Sequence, residues 1–192
     1  MGREFELKFR ATAEQFAALK ADYPDLQPIQ METTYYDTFD GKLSNYRWTF
    51  RRRMENGKSI CTLKTPSENG GRSEWEVECD SIIRSVPLLC RAGAPWLLGE
   101  FTISGVGPVC GAKFTRLAGK IEAEGCVLEL ALDEGVLTGG GRELPLREVE
   151  VELKSGTDAD AIAFAGILAE KYGLEPEEKS KYRRALGLAR GE

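Results

Sequence analysis

Charged and apolar side chains alternate with a period of two along several short segments, and this pattern constrains the fold of the chain more than any other feature. Successive side chains of a β-strand point to opposite faces, so each such segment reads as a strand with one charged and one apolar face. In residues 4–10, Glu4, Glu6, Lys8 and Arg10 oppose Phe5, Leu7 and Phe9. In 148–154, Glu148, Glu150, Glu152 and Lys154 oppose Val149, Val151 and Leu153. Arg72, Glu74, Glu76 and Glu78 share a face opposite Trp75 and Val77; Glu129 and Asp133 oppose Leu128, Leu130 and Leu132; Arg51 and Arg53 oppose Phe50. Carboxylates repeated at spacing two repel one another, so cations must face them.

Turn and cap signals divide the chain into about eight strands with helices inserted. Asn56-Gly57 marks a tight hairpin between 46–54 and 59–65. Thr12-Ala13-Glu14-Gln15 opens a helix over 13–22, Thr157 opens another over 158–172, and Gly173 ends it. Residues 81–108 read as short helices and loop, and 177–189 as a last helix. The fold expected is α+β and β-dominated: one domain over 1–192, built as a closed eight-stranded antiparallel barrel with a charged lumen and helices packed outside. Such a lumen is no dry core, because unpaired buried charge is very costly.

The chain has no histidine, which excludes a Ser-His-Asp triad, a Cys-His pair and most zinc sites. Acid–base work then falls to Asp, Glu, Lys, Tyr, Cys or a metal-bound water. Converging Arg and Lys grip phosphate oxygens, and carboxylates hold a hard divalent cation that bridges to them. The chemistry expected is metal-assisted phosphoryl transfer to water. A net charge of -5 argues against general nucleic-acid binding. No apolar run approaches a membrane span. The N-terminal residues pass straight into a patterned strand, and the five cysteines form no Cys-x-x-Cys pair. A cytoplasmic protein without a signal peptide, monomeric or homodimeric, is expected.

A series of motifs then points to a family. Glu4-x-Glu6-x-Lys8 is followed by Tyr35-Tyr36-Asp37, Phe50-Arg51-Arg52-Arg53, Thr62-Leu63-Lys64 and Arg72-x-Glu74-x-Glu76. Phe114-Thr115-Arg116, Glu129-Leu130-Ala131-Leu132-Asp133, Glu148-x-Glu150-x-Glu152 and Lys179-Ser180-Lys181 complete it. In this order they resemble the CYTH superfamily, the triphosphate tunnel metalloenzymes, and look closest to its bacterial inorganic triphosphatases. The resemblance implies a phosphoanhydride hydrolase using Mg²⁺ or Mn²⁺, in two ions, on a small anionic triphosphate. It implies Glu4, Glu6, Glu150 and Glu152 as metal ligands, and Lys8, Arg51, Arg53, Lys64, Arg72, Arg116 and Lys181 as phosphate contacts. Glu6, Lys8, Glu76 and Asp133 are the implied catalytic set, the last two placing a second metal or the water. Thiamine triphosphatase and class IV adenylyl cyclase share the tunnel, and a non-catalytic polyphosphate-binding module is the alternative of another class. Arg116 has the parity of Phe114, so either a bulge turns it inward or Lys113 is the tunnel residue.

Overall fold

The computed structural model describes residues 5–67 and 71–192. Strand β1 (Glu6–Arg10) leads into helix α1 (Ala13–Asp22), where the Thr12 hydroxyl accepts from the Gln15 N–H and the Gln15 side chain accepts from the Thr12 N–H. Then come β2 (Gln27–Thr38), the single turn α2 (Lys42–Asn45), β3 (Thr49–Glu55), β4 (Lys58–Pro66) and β5 (Arg72–Glu78). Asn56 and Gly57 join β3 to β4 with φ of 48° and 84°, the left-handed pair that a two-residue hairpin demands. Helices α3 (Ile82–Arg91) and α4 (Leu97–Thr102) precede a meander of three long strands, β6 (Val106–Ala123), β7 (Cys126–Gly139) and β8 (Arg142–Ser155). Helix α5 (Asp158–Tyr172) starts at a Thr157/Asp160 capping box and stops at Gly173, at φ 66°. A two-residue strand β9 (Glu175–Pro176) and helix α6 (Lys181–Arg190) end the chain.

The strands form one nine-stranded sheet in the order β5-β4-β3-β2-β6-β7-β8-β1-β9, and every pairing is antiparallel. The expected closed eight-stranded barrel is therefore wrong: β5 and β9 are edges that do not pair with each other. The outer edge of β1 is already taken, since Phe9 and Arg10 pair with Pro176 and Glu175, and the Glu177 N–H donates to the Lys8 carbonyl. The open sheet is nonetheless strongly curled, because side chains from β1 through β8 line a single cavity. Strand backbones approach closely in the curl: a Cβ on Gly135 would lie 2.2 Å from the Lys113 carbonyl oxygen.

The convex face is apolar and covered in two halves. Helices α1 and α5 lay Phe16, Leu19, Ala161, Ala165 and Leu168 over Phe9, Leu128, Leu130, Leu132, Val149 and Val151. Helices α2, α3 and α4 cover Trp48, Phe50, Cys61 and Leu63. Each leucine fully buried this way contributes about 2–3 kcal/mol relative to exposure. Not all helices lie outside, however. Helix α6 packs on the concave face, with Ala185 buried against Met31, Tyr35, Phe114, Leu137 and Leu146. Gly139 makes this seat possible, since a Cβ there would stand 2.4 Å from the Ala185 carbonyl oxygen.

Candidate functional site

The concave face encloses a cavity of about 630 Å³ between the sheet and the start of α6. One wall is cationic: Arg51 and Arg53 on β3, Lys64 on β4 and Arg72 on β5, interleaved with Glu55, Glu74 and Glu76. The facing wall carries Glu6 and Lys8 on β1, Glu129 on β7, and Glu150, Glu152 and Lys154 on β8. Met31, Tyr35, Phe114 and Tyr182 give it an apolar flank. Among the described residues no helix is long and apolar enough to cross a membrane.

On the cationic wall the two arginines of β3 are only loosely paired among the described residues. The nearest carboxylates to Arg51, those of Glu74 and Glu76, stand 3.7 Å away, and Arg53 meets Glu55 at 3.1 Å and Glu76 at 3.9 Å. The Nε atoms of both arginines are buried with no hydrogen-bond partner among the described residues. Burial first, and then the charge of Arg51, lowers the Arg53 pKa. Two crowded guanidinium groups at a cavity, with Nε donors unused, are suited to receive an anion. Lys64 is held by Glu74 at 2.9 Å, and Arg72 donates to the Arg47 carbonyl at 3.3 Å. Burial would raise the Glu76 pKa, but a 2.9 Å hydrogen bond from Thr62 and the charges of Arg51 and Arg53 outweigh it and keep the carboxylate ionised.

The acidic wall has two layers. Register places Glu6, Glu152 and Glu129 abreast on β1, β8 and β7. Their cations are Lys8, 2.8 Å from Glu6, and Lys154, 2.8 Å from Glu152 and 3.7 Å from Glu129. Beneath them, Asp133, Glu148 and Glu150 bring carboxylate oxygens within 4.8 Å of one another, a cluster capable of coordinating a metal ion. Arg116 grips Asp133 with two bonds of 2.8 Å and also binds Glu150. Lys181 reaches Asp133 at 2.8 Å, Glu150 at 2.7 Å and Glu148 as well. Arg184 binds Glu148 and lies 3.6 Å from Glu177. When fully ionised, the three carboxylates thus face three cations. Oxygen-only donors in both layers suit a hard cation rather than a soft metal.

The buried layer also sets a pH dependence. Burial raises the Glu148 carboxyl to about 7 against the pull of Lys181 and Arg184. For Glu150 burial acts in the same sense, but Lys181 and Arg116 outweigh it and hold that pKa well below the ordinary value. An unfolded chain releases the Glu148 proton near the ordinary glutamate pKa, whereas the folded protein keeps it up to about 7. The stability this group contributes is complete below that window and declines as pH rises through it. Glu148→Gln should therefore show a flatter fall in Tm than the natural sequence between about pH 5 and pH 8. Parallel profiles would refute the assignment.

Most of the residues singled out in the sequence meet here. Glu6, Lys8, Arg51, Arg53, Lys64, Arg72, Glu76, Arg116, Glu150, Glu152 and Lys181 all line the cavity. Asp133 lies behind them, with no exposure, under Arg116 and Lys181. Glu4 falls outside the described residues. Arg116 points inward without a bulge, because β6 and β7 stay in register from Gly111 to Ala123. Phe114 shares its face beneath α6, and Lys113 is exposed on the other. Sequence reasoning missed Arg184 and left Glu148 without a firm role. Arg184 follows Lys181 at i, i+3 on one helix face, a spacing that could have flagged it.

A profile of the CYTH domain matches residues 2–186. The inorganic triphosphatase of Haemophilus influenzae is 28% identical over 164 residues, covering 84% of this chain and 47% of that protein. The chain thus spans about half the length of that relative. Among solved structures, HpAC1 from Hippeastrum, described as having a dominant triphosphatase activity, superposes with a TM-score of 0.69 at 18% identity, covering 100% of this chain and 97% of that one. The PH1819 protein of Pyrococcus horikoshii gives 0.60 at 22%, covering 94% and 97%. At such identities these structures show the shared fold.

Proposed function

The chain belongs to the CYTH domain family, and from that premise we propose that it is a metal-dependent hydrolase of triphosphate compounds, foremost inorganic tripolyphosphate, which it cleaves to diphosphate and phosphate. The observation that supports this reading is the pair Arg51 and Arg53, half-buried at the cavity with Nε donors unused among the described residues and with Glu74 and Glu76 no nearer than 3.7 Å. Together with Lys64 and Arg72 they would grip the non-bridging oxygens of the phosphate chain, and Lys8 would reach it from the opposite wall. Glu6, Glu150 and Glu152, with Glu4 from the same motif, would hold Mg²⁺ or Mn²⁺, which when bound supplies charge neutralisation and an acidified water. Glu76, kept ionised by the Thr62 hydroxyl and the two arginines, would orient that water or steady the guanidinium groups. The same proposal covers one domain in a cytoplasmic setting, monomeric or homodimeric, acting on a small anionic substrate.

A phosphate-release assay with tripolyphosphate, ATP and thiamine triphosphate, each with Mg²⁺ and with Mn²⁺, tests the reading. Tripolyphosphate should give the highest kcat/KM. Formation of cyclic AMP from ATP, or tight binding with no release under either metal, would replace the hydrolase reading. Arg53→Ala removes two or more charge-assisted hydrogen bonds in one step. It should raise the KM for tripolyphosphate roughly tenfold or more, with a smaller change in the metal concentration needed for half-maximal rate.

A further inference from the structure

Two hydroxyl groups at this cavity are buried and unpaired. Thr49, 4% exposed, has an Oγ1 with no hydrogen-bond partner among the described residues, and so does the phenolic oxygen of Tyr182. Both residues line the cavity. They reach the cavity from different elements. Thr49 opens β3 two positions before Arg51, so the two share a face. Tyr182, in the first turn of α6, lies with its ring centroid 5.0 Å from that of Tyr35, the cross-strand partner of Arg51. Lys64 is the cross-strand partner of Thr49.

An unpaired hydroxyl in a native interior forfeits a hydrogen bond, so two of them at one cavity, with the unused Arg51 Nε, call for an acceptor that comes from outside. Burial first, then the charge of Asp37, raises the Tyr182 pKa, so the phenol remains a donor. The first residues of α6 also line this space, so the positive end of the helix adds its field. Neutral donors added to guanidinium and ammonium groups suit an acceptor-only ligand with several oxygens on one centre.

We infer that Thr49 and Tyr182, with Arg51, form a subsite that binds one end phosphoryl group of the triphosphate chain and so fixes where the chain lies along the cavity. The inference rests on the triphosphate reading and adds residues that no motif of the sequence contains. Both are specificity residues that touch substrate; neither takes part in proton transfer or metal binding.

Thr49→Val and Tyr182→Phe delete only the hydroxyls. Each should raise the KM for tripolyphosphate roughly tenfold or more, leave kcat within about threefold, and weaken tripolyphosphate binding measured by calorimetry to the same degree. Because neither hydroxyl has a partner among the described residues, Tm should be unchanged or slightly higher. A fall of several degrees would mean an internal partner and overturn the inference. Variants that bind and cleave tripolyphosphate like the natural protein would overturn it too, while leaving the hydrolase reading intact. Failure of the natural protein itself to bind or cleave tripolyphosphate would remove that reading and the subsite with it.

Discussion

Replacing Lys181 by methionine is expected to lower the free energy of unfolding by about 3–5 kcal/mol, because it strips the common cation from a cluster of buried carboxylates. Lys181 is bonded to Asp133, Glu148 and Glu150 together, two of which have no exposed side-chain surface. The methionine stem retains the packing against Phe114, whose ring centroid lies 5.5 Å from the ammonium. The loss is therefore electrostatic. Arg116 and Arg184 remain, yet Arg116 already serves Asp133 and Glu150, and Arg184 serves Glu148. For a chain of this size the penalty corresponds to a fall in Tm of roughly 6–20 °C. The variant should regain part of that loss in millimolar Mg²⁺, and more than the natural protein gains, because the three carboxylate oxygens lie within 4.8 Å of one another and would then face one cation fewer. Thermal unfolding with and without Mg²⁺ measures both effects. A Tm within a degree or two of the natural protein would show that the cluster is not knit by this side chain.

The alternation that makes the strands legible says which face each side chain takes, and the structure keeps that assignment on β1, β3, β5, β7 and β8. What it does not say is whether the two edges of the sheet meet. Closure depends on what occupies the outer side of β1, and that is the two-residue strand Glu175–Pro176, too short to carry any periodic signal. The position of α6 was hidden for a related reason. Tyr182, Ala185, Leu186 and Ala189 form an apolar stripe at helical spacing, and such a stripe fits either face of a sheet. The concave face accepts it because Met31, Tyr35, Cys110 and Phe114 make that end of the face apolar. Treating the inner face as uniformly charged is what made Arg116 look misplaced beside Phe114. The candidate ligands were visible because carboxylates at spacing two are unusual. Their partition into a cavity wall and a buried, neutralised layer required coordinates, since Glu148, Glu150 and Glu152 are alike in sequence and differ only in depth along β8.

Glu6→Gln should cost more than about a hundredfold in tripolyphosphate turnover, since loss of even an outer partner of a metal ligand typically costs 10- to 100-fold, and Glu6 would be a ligand itself. The variant should still fold. The Glu6 side chain is 29% exposed and its part-buried 2.8 Å ion pair with Lys8 opens onto the cavity, where glutamine can still accept from the ammonium. Deleting its charge also relieves repulsion with Glu152 directly across the strand pair. Tm should therefore stay close to that of the natural protein while activity collapses, and raising Mg²⁺ or Mn²⁺ should recover part of the rate by mass action. That combination separates a lost metal ligand from a lost phosphate contact. Arg53→Ala acts through KM for substrate, whereas Glu6→Gln acts through the metal concentration needed for half-maximal rate. If Glu6→Gln cleaved tripolyphosphate at the natural rate with an unchanged metal requirement, the cation would have to sit elsewhere. The buried cluster of Asp133, Glu148 and Glu150 would then be a candidate host, and Lys181 would have to leave it before a cation could bind.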